Sequence, residues 1–292
     1  MKGDRPQPAT RNLSPMALEP GLYVAATPIG NLKDVTFRVV ETLKEADVIL
    51  CEDTRQTAKL CSAYGIRTPR IAYHDHNAAR ARPEILERLK AGARVALVSD
   101  AGTPLIADPG YKLVSAARAL GIKVVPLPGA SALTAAMSAS GAPTDRFLFA
   151  GFPPAKARAR ARFLEALAGV DASLVFYETA PRLPESLAAM AAAFGARRAV
   201  VARELTKLHE EFVEGDLPAL AAAYAGAAPK GEIVIVIHPP QEEKAEPADI
   251  EAFLDRALLE MSVRDAAEAA ASALGASKKD AYQMALRKKG EG

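Results

Sequence analysis

From Gly21 to His238 the chain alternates short apolar runs with longer stretches whose apolar residues recur at helical spacing, and this alternation limits the fold more than any other feature. The first half reads as strand Gly21 to Ala26, helix Val35 to Ala46, strand Val48 to Cys51 and helix Thr57 to Tyr64. It resumes with strand Arg94 to Ser99, helix Tyr111 to Leu120, strand Lys123 to Pro126 and helix Ala130 to Ser140. Strands joined by crossover helices lie parallel, and a parallel sheet is covered on both faces. A Gly/Pro break over Gly141 to Asp145 predicts a domain boundary. Beyond it lie strands at Arg146 to Gly151, Ser173 to Tyr177, Ala199 to Arg203 and Glu232 to His238, with helices near Pro184 to Phe194 and Leu217 to Ala225. From Pro239 to Asp265 the composition turns acidic and strand character is lost. Ser262 ahead of Asp265 and Ser277 ahead of Asp280 mark two helix starts, and Gly275 between them suits a helix C-terminus.

The expected class is therefore α/β, with consecutive α/β domains at 21–143 and 144–240, then an acidic linker and helical tail at 241–292. Residues 1–20 are rich in Pro, Arg and small polar types without apolar periodicity, and are expected to form a disordered leader. A chain of 292 residues suits two domains, each with its own core. No apolar run nears the roughly 20 residues that cross a bilayer, so a cytoplasmic protein without membrane contact is expected. Cys51 and Cys61 have no Cys/His set at metal-ligand spacing, so they are expected to be reduced and packed, with no metal site.

Loops leaving the carboxyl ends of parallel strands line the ligand crevice of such sheets. Three qualify: Thr27 to Asn31; Asp100, Ala101, Gly102, Thr103 and Pro104 with Asp108, Pro109 and Gly110; and Pro128 to Ser131. Together they would make one concave site, although each alone reads equally as an ordinary turn. Neither G-x-G-x-x-G nor a P-loop occurs, which weighs against a dinucleotide or nucleoside-triphosphate site of the usual kind.

Cys51, Glu52, Asp53, Thr54 and Arg55 place two carboxylates and a guanidinium after an apolar strand, either as a satisfied ion-pair network or as working groups. A matching cluster runs from Arg203 to Glu211, where His209 beside two glutamates reads more readily as a solvated helix face than as a base. Positive charge gathers at Lys156, Arg158, Arg160 and Arg162, and again at Lys278, Lys279, Arg287, Lys288 and Lys289. Such patches bind phosphate backbones, or are merely solvated faces.

The strings Ala26-Thr27-Pro28-Ile29-Gly30-Asn31-Leu32, Cys51-Glu52-Asp53-Thr54-Arg55, Ser99-Asp100-Ala101-Gly102-Thr103-Pro104 and Arg203-Glu204-Leu205-Thr206-Lys207 occur in order. With Pro128 to Ala132, Gly151 to Pro154, Tyr177-Glu178 and Lys230-Gly231-Glu232, they give a chain that resembles the ribosomal RNA small subunit methyltransferase I family from about Gly21 to His238. The resemblance implies two α/β domains of the tetrapyrrole-methylase type, a homodimer, and S-adenosylmethionine held between the domains. It also implies 2′-O-methylation of a cytidine in the decoding region of small-subunit rRNA, with the 30S subunit as the substrate particle. Carried over by motif, the cofactor contacts are Pro28, Asp100, Ala101, Gly102, Thr103, Ser131, Ala132, Tyr177, Leu205 and Gly231.

A ribose hydroxyl is a weak nucleophile until its proton leaves, so a general base is expected among Glu52, Asp53, Glu204 and Lys207. Lys207 would serve if burial lowered its pKa, and an Asp53–Arg55 pair would orient a hydroxyl or phosphate. Lys156, Arg158, Arg160, Arg162, Lys278 and Lys279 are expected to contact RNA phosphates, while the tail helices serve RNA contact or dimer packing alike. Two rival readings are a methylase of a small tetrapyrrole and a non-catalytic RNA-binding assembly factor.

Overall fold

The structure is a computed structural model that describes residues 18–226, 229–240 and 247–290. The first half runs β1 (Gly21–Ala25), α1 (Phe37–Glu45), β2 (Val48–Cys51), α2 (Thr54–Ala63), β3 (Arg70–Ala72), α3 (Asp75–Lys90), β4 (Arg94–Val98), α4 (Tyr111–Ala119), β5 (Val124–Leu127) and α5 (Ala132–Ala139). Its five strands are all parallel, in the order β3-β2-β4-β1-β5. Side chains alternate across the sheet, and both faces are buried. Tyr23, Ala25, Ile49, Cys51, Ala96 and Val98 pack with Val39, Leu43 and Leu60 of α1 and α2. Leu22, Leu50, Val95 and Leu97 pack with Ile85, Leu89 and Leu113 of α3 and α4. Cys51 and Cys61 are free thiols inside the first of these layers.

The stretch between Tyr64 and Arg94, for which the sequence pattern offers no element, holds β3 and α3. β3 is a three-residue strand at the sheet edge, and α3 carries Pro83 inside it and buries only Ile85 and Leu89, so neither period stands out.

The second half runs β6 (Phe147–Gly151), α6 (Ala157–Glu165), β7 (Ser173–Thr179), α7 (Leu183–Phe194), β8 (Arg198–Arg203), β9 (Glu211–Asp216), α8 (Leu217–Ala223) and β10 (Glu232–Ile237). Its sheet order is β6-β7-β10-β8-β9, and only β6 and β7 pair in parallel. The segment 204–210, read from sequence as a helix face, is instead the turn between antiparallel β8 and β9, and His209 is exposed on it. One sheet face is covered by α6, α7 and α8 around Phe176, Leu187, Met190 and Val201. The other face, with Val175, Ala202, Val234 and Val236, packs on Ala136 and Met137 of α5 and on Ile29, so the two sheets share a core.

Residues 1–17 of the expected leader lie outside the described residues. The last three leader positions belong to the fold. The Leu18 amide donates to the Glu45 carboxylate at 3.1 Å, Glu19 pairs with Lys123, and the Glu19 carbonyl accepts from the Tyr23 hydroxyl at 2.6 Å.

Residues beyond His238 form a separate compact unit. Residues 241–246 of the expected acidic linker lie outside the described residues, and the sequence pattern passed over the helix that follows, α9 (Pro247–Ala257). It presents Ile250 and Leu254 to α10 (Val263–Leu274) and α11 (Lys278–Gly290), whose contacts are small: Ala266, Ala267, Ala270, Ala281 and Ala285. The Ser262 and Ser277 hydroxyls accept from the Asp265 and Asp280 amides at 3.2 and 3.4 Å, and Gly275 ends α10 in the left-handed region. Such serine caps each stabilise by about 1 kcal/mol.

Candidate functional site

The loops after four parallel strands are stitched together at one edge of the first sheet. Thr27 and Gly102 exchange backbone hydrogen bonds at 2.8 and 2.9 Å, and the Thr27 hydroxyl donates to the Ser99 carbonyl at 3.0 Å. The Thr103 hydroxyl donates to the Ala130 carbonyl at 3.1 Å, joining the loops after β4 and β5. The Asp53 amide donates to the Asp100 carboxylate at 2.9 Å, joining the loops after β2 and β4. Gly102 sits at φ +83° with its α-carbon facing Ile29, a backbone course that favours glycine.

The second half closes on this edge through two contacts. The Tyr177 hydroxyl accepts from the Leu133 amide at 3.1 Å, tying β7 to the start of α5. Gly30 lies so close to the 204–207 turn that a Cβ on it would sit 2.5 Å from Lys207 Cγ. In that turn Glu204 and Thr206 adopt φ +51° and +67°, conformations that cost non-glycine residues energy and cluster at functional sites. The turn is held by a network: the Glu204 carboxylate accepts from Lys207 at 2.8 Å and from the Glu232 amide at 3.1 Å, and Lys207 also pairs with Glu232 at 3.0 Å. Gly231, at φ +105°, passes so near that a Cβ there would overlap the Glu204 carboxyl group.

Between the halves lies a cavity of about 620 Å³. Nine of the ten expected cofactor contacts line it: Asp100, Ala101, Gly102, Thr103, Ser131, Ala132, Tyr177, Leu205 and Gly231. Pro28 does not; it lines a neighbouring cavity of about 390 Å³, with Thr27, Gly30, Gln56, Lys59 and Lys207. Ile29, Asp100, Ala101 and Glu232 line both, so the cavities adjoin along one shared wall.

The candidate catalytic groups behave unequally. Asp53 is held at about 2, chiefly by its hydrogen bonds from Arg55, which is 89% exposed. The pair serves mainly to cap α2, where the Asp53 carboxylate accepts from the Arg55 amide at 2.8 Å. Burial draws the Lys207 pKa down, yet its bonds to Glu204 and Glu232 outweigh this and raise it above the ordinary lysine value. Lys207 is therefore a fixed cation, which corrects its expected role as a base. The Glu204 pKa is lowered, foremost by the bond from Lys207. Burial, reinforced by Asp100 and Asp75, raises that of Glu52, which with Asp53 and Arg55 lines neither cavity.

The larger cavity also contains groups to which the sequence reading gave no role. Asp108 is half-buried there, and burial together with the charge of Glu52 pushes its carboxyl up to about 6. Its loop is shaped by Leu105 and Ala107 at φ +75° and +64°, residue types that carry no sign of a left-handed turn in sequence. Glu178 is buried on the wall, accepting from the Thr179 amide at 2.8 Å and from the Ser186 hydroxyl, with Arg182 at 3.5 Å. These bonds fix the end of β7 beside Tyr177.

The expected basic surface is divided. Lys156, Arg158 and Arg162 are exposed and make no ion pair among the described residues. Arg160 is only 5% exposed, on the buried side of α6, and pairs with Glu185 of α7 at 3.1 Å, which corrects its expected place among the phosphate contacts. Residues two apart on a helix face opposite sides, so a run with basic residues at every second position cannot be one patch. Lys278 pairs with Glu268 at 2.7 Å, and Lys279 is exposed. Among the described residues no helix is long and apolar enough to cross a membrane.

A model of the Tetrapyrrole (Corrin/Porphyrin) Methylases matches residues 21–221, and one of the RsmI C-terminal HTH domain matches residues 244–289. A Mesorhizobium japonicum protein named ribosomal RNA small subunit methyltransferase I is 51% identical, covering 94% of this chain and 95% of its own length. A Pseudomonas aeruginosa protein of the same name is 45% identical, covering 92% and 98%. Among solved structures, diphthine synthase aligns with a TM-score of 0.60 at 19% identity over 74% of this chain and 89% of its own. Uroporphyrin-III C-methyltransferase from Thermus thermophilus, complexed with S-adenosylhomocysteine, aligns with a TM-score of 0.52 at 20% identity over 74% and 96%. These two likenesses show the fold.

Proposed function

The chain belongs to the ribosomal RNA small subunit methyltransferase I family, and from that premise we propose that it transfers a methyl group from S-adenosylmethionine to small-subunit ribosomal RNA, at the ribose 2′-hydroxyl of a cytidine in the decoding region. In this reading it works in the cytoplasm as a homodimer on the 30S particle. The observation that carries it is the convergence of backbone loops from both halves on one cavity of about 620 Å³.

The residues present fit the donor. Ligand cavities span roughly 300–1,000 Å³, and this one combines backbone brought close at Gly102 and Gly231 with carboxylates at Asp100 and Asp108. Bound there, the sulfonium supplies an already activated methyl group. The half-buried Asp108 carboxylate, crowded by Glu52, gains by facing a cation, and that gain disappears against the neutral thioether product. Asp100 to Thr103, Ser131, Ala132 and Tyr177 hold the donor, and Leu205 and Gly231 close the wall from the second half.

The remaining task is to place the acceptor and take its proton. Of the carboxylates lining both cavities, Glu232 is committed to Lys207, which leaves Asp100, oriented by the Asp53 amide, to receive that proton. Lys207 contributes fixed positive charge beside the acceptor. Mass spectrometry of rRNA nucleosides from cells with and without the gene tests the reading. A 2′-O-methylcytidine present only with the gene supports it; unchanged nucleosides, or labelling of a porphyrinogen substrate by the purified protein, overturns it.

A further inference from the structure

The smaller cavity has no part in holding the donor in this account, yet it shares the wall of Ile29, Asp100, Ala101 and Glu232 with the larger one. Its own lining differs in kind. Beyond the shared wall, the larger cavity has Asp108 and Glu178 with one lysine, Lys230, whereas the smaller has Lys59 and Lys207 with the amide of Gln56 and no further carboxylate. Lys59 donates to Gln56 at 2.7 Å and makes no ion pair among the described residues, so its charge is available to an anion. At about 390 Å³ the cavity sits near the low end of single-ligand sites, far too small for a duplex. Leu32, 44% exposed, lines it, and Leu208, 91% exposed, directly follows its lining residue Lys207. Exposed apolar side chains beside a pocket of this size suit a wedge that separates stacked bases.

We propose that the smaller cavity is the acceptor chamber: it takes one unstacked nucleotide of the RNA, with Lys59 on its phosphate and its ribose against the Asp100–Ala101 wall. This rests on the RNA-methylating function proposed above. Lys59 and Gln56 are exposed positions on α2 that line the smaller cavity and not the larger, so their variants report on the chamber.

The test uses purified full-length protein with small ribosomal subunits from cells lacking the gene, together with calorimetry of S-adenosylmethionine. Lys59→Glu should raise the KM for subunits about tenfold or more, lower its salt slope by about 1, and leave donor affinity within about twofold of wild type. Gln56→Trp, which fills the chamber, should abolish RNA methylation with the same donor affinity. Retained donor binding also shows that both variants are folded. Wild-type KM in both variants would overturn the chamber, as would donor affinity falling in step with RNA methylation, since the two cavities would then be one donor site. A wild-type protein that binds the donor but does not label subunits overturns the proposed function and the chamber together; labelling by wild type with unaltered variants overturns the chamber alone.

Discussion

In the first sheet every strand points the same way, so the loops after β1, β2, β4 and β5 arrive at one edge by topology, where Thr27 and Gly102 exchange backbone hydrogen bonds. In the second sheet β7, β8 and β10 are antiparallel neighbours, and the end of one lies beside the start of another: Thr179 pairs with Glu232, and Arg203 with Ile233. No general rule assigns ligands to an edge of that kind. Its contribution is instead fixed by side chains and strain, through the buried Glu178, the Glu204–Lys207–Glu232 network and two non-glycine residues at positive φ. The parallel half supplies a site by architecture; the mixed half must hold its part in place residue by residue.

That contrast is broken most severely inside the mixed half, where Gly231 passes Glu204. Gly231→Ala places a Cβ into the Glu204 carboxyl group at φ +105°, and should cost about 3 kcal/mol of stability and over roughly 100-fold in donor affinity. Gly65→Ala, at φ +65° with open space around it, should cost only about 1 kcal/mol and leave donor affinity unchanged. Thermal unfolding and calorimetry on the pair separate backbone strain from loss of the site. Equal behaviour of the two would show that the closure at Gly231 is incidental.

Within the parallel half, Asp100→Asn should lower turnover by about 100-fold at saturating donor, in line with loss of a general base. Single-turnover kinetics check this, and undiminished turnover removes Asp100 from the chemistry.

Asp108→Asn should weaken S-adenosylmethionine by about tenfold while changing S-adenosylhomocysteine little, because only the former carries the sulfonium charge. For the wild type the same carboxylate sets a pH dependence. Its pKa is raised from 3.8 to about 6, so donor affinity should fall as pH drops through about 6. Stability runs the other way. The folded state binds this proton more tightly than the unfolded chain, so stability from this group declines as pH rises from about 4 to 6 and stays reduced above. Asp108→Asn should therefore stabilise the unliganded protein above pH 6 by on the order of 1 kcal/mol, the figure being small because solvent reaches the group. Thermal melts at pH 5 and 8 check the sign.

The smallest effects concern α6. Arg158→Ala and Arg162→Ala should leave stability within about 0.5 kcal/mol and each lower the salt slope of RNA binding by about 1. Arg160→Ala, removing a buried stem and its pair with Glu185, should destabilise by about 1–3 kcal/mol without touching that slope.

The same contrast explains what could be read from the amino-acid order. β1, β2 and β4 are legible because strands buried on both faces are unbroken apolar runs, and the loops at Thr27 and Asp100 follow from their direction. β9 is not, since Glu211–Asp216 alternates charged with small or apolar residues on an edge strand. Nor is the 204–207 turn, whose course depends on ion pairs and a glycine distant in sequence. Asp108 stood in a quoted motif without a role, because its raised pKa comes from burial and from Glu52, neighbours that only the fold supplies.

In the proposed function both halves meet around one donor. A crystal of the protein soaked with S-adenosylmethionine tests it most directly. Density is expected in the larger cavity, in contact with Asp100 to Thr103 from one half and with Tyr177, Leu205 and Gly231 from the other. Density that touches residues of one half alone, or that lies elsewhere on the molecule, would contradict it.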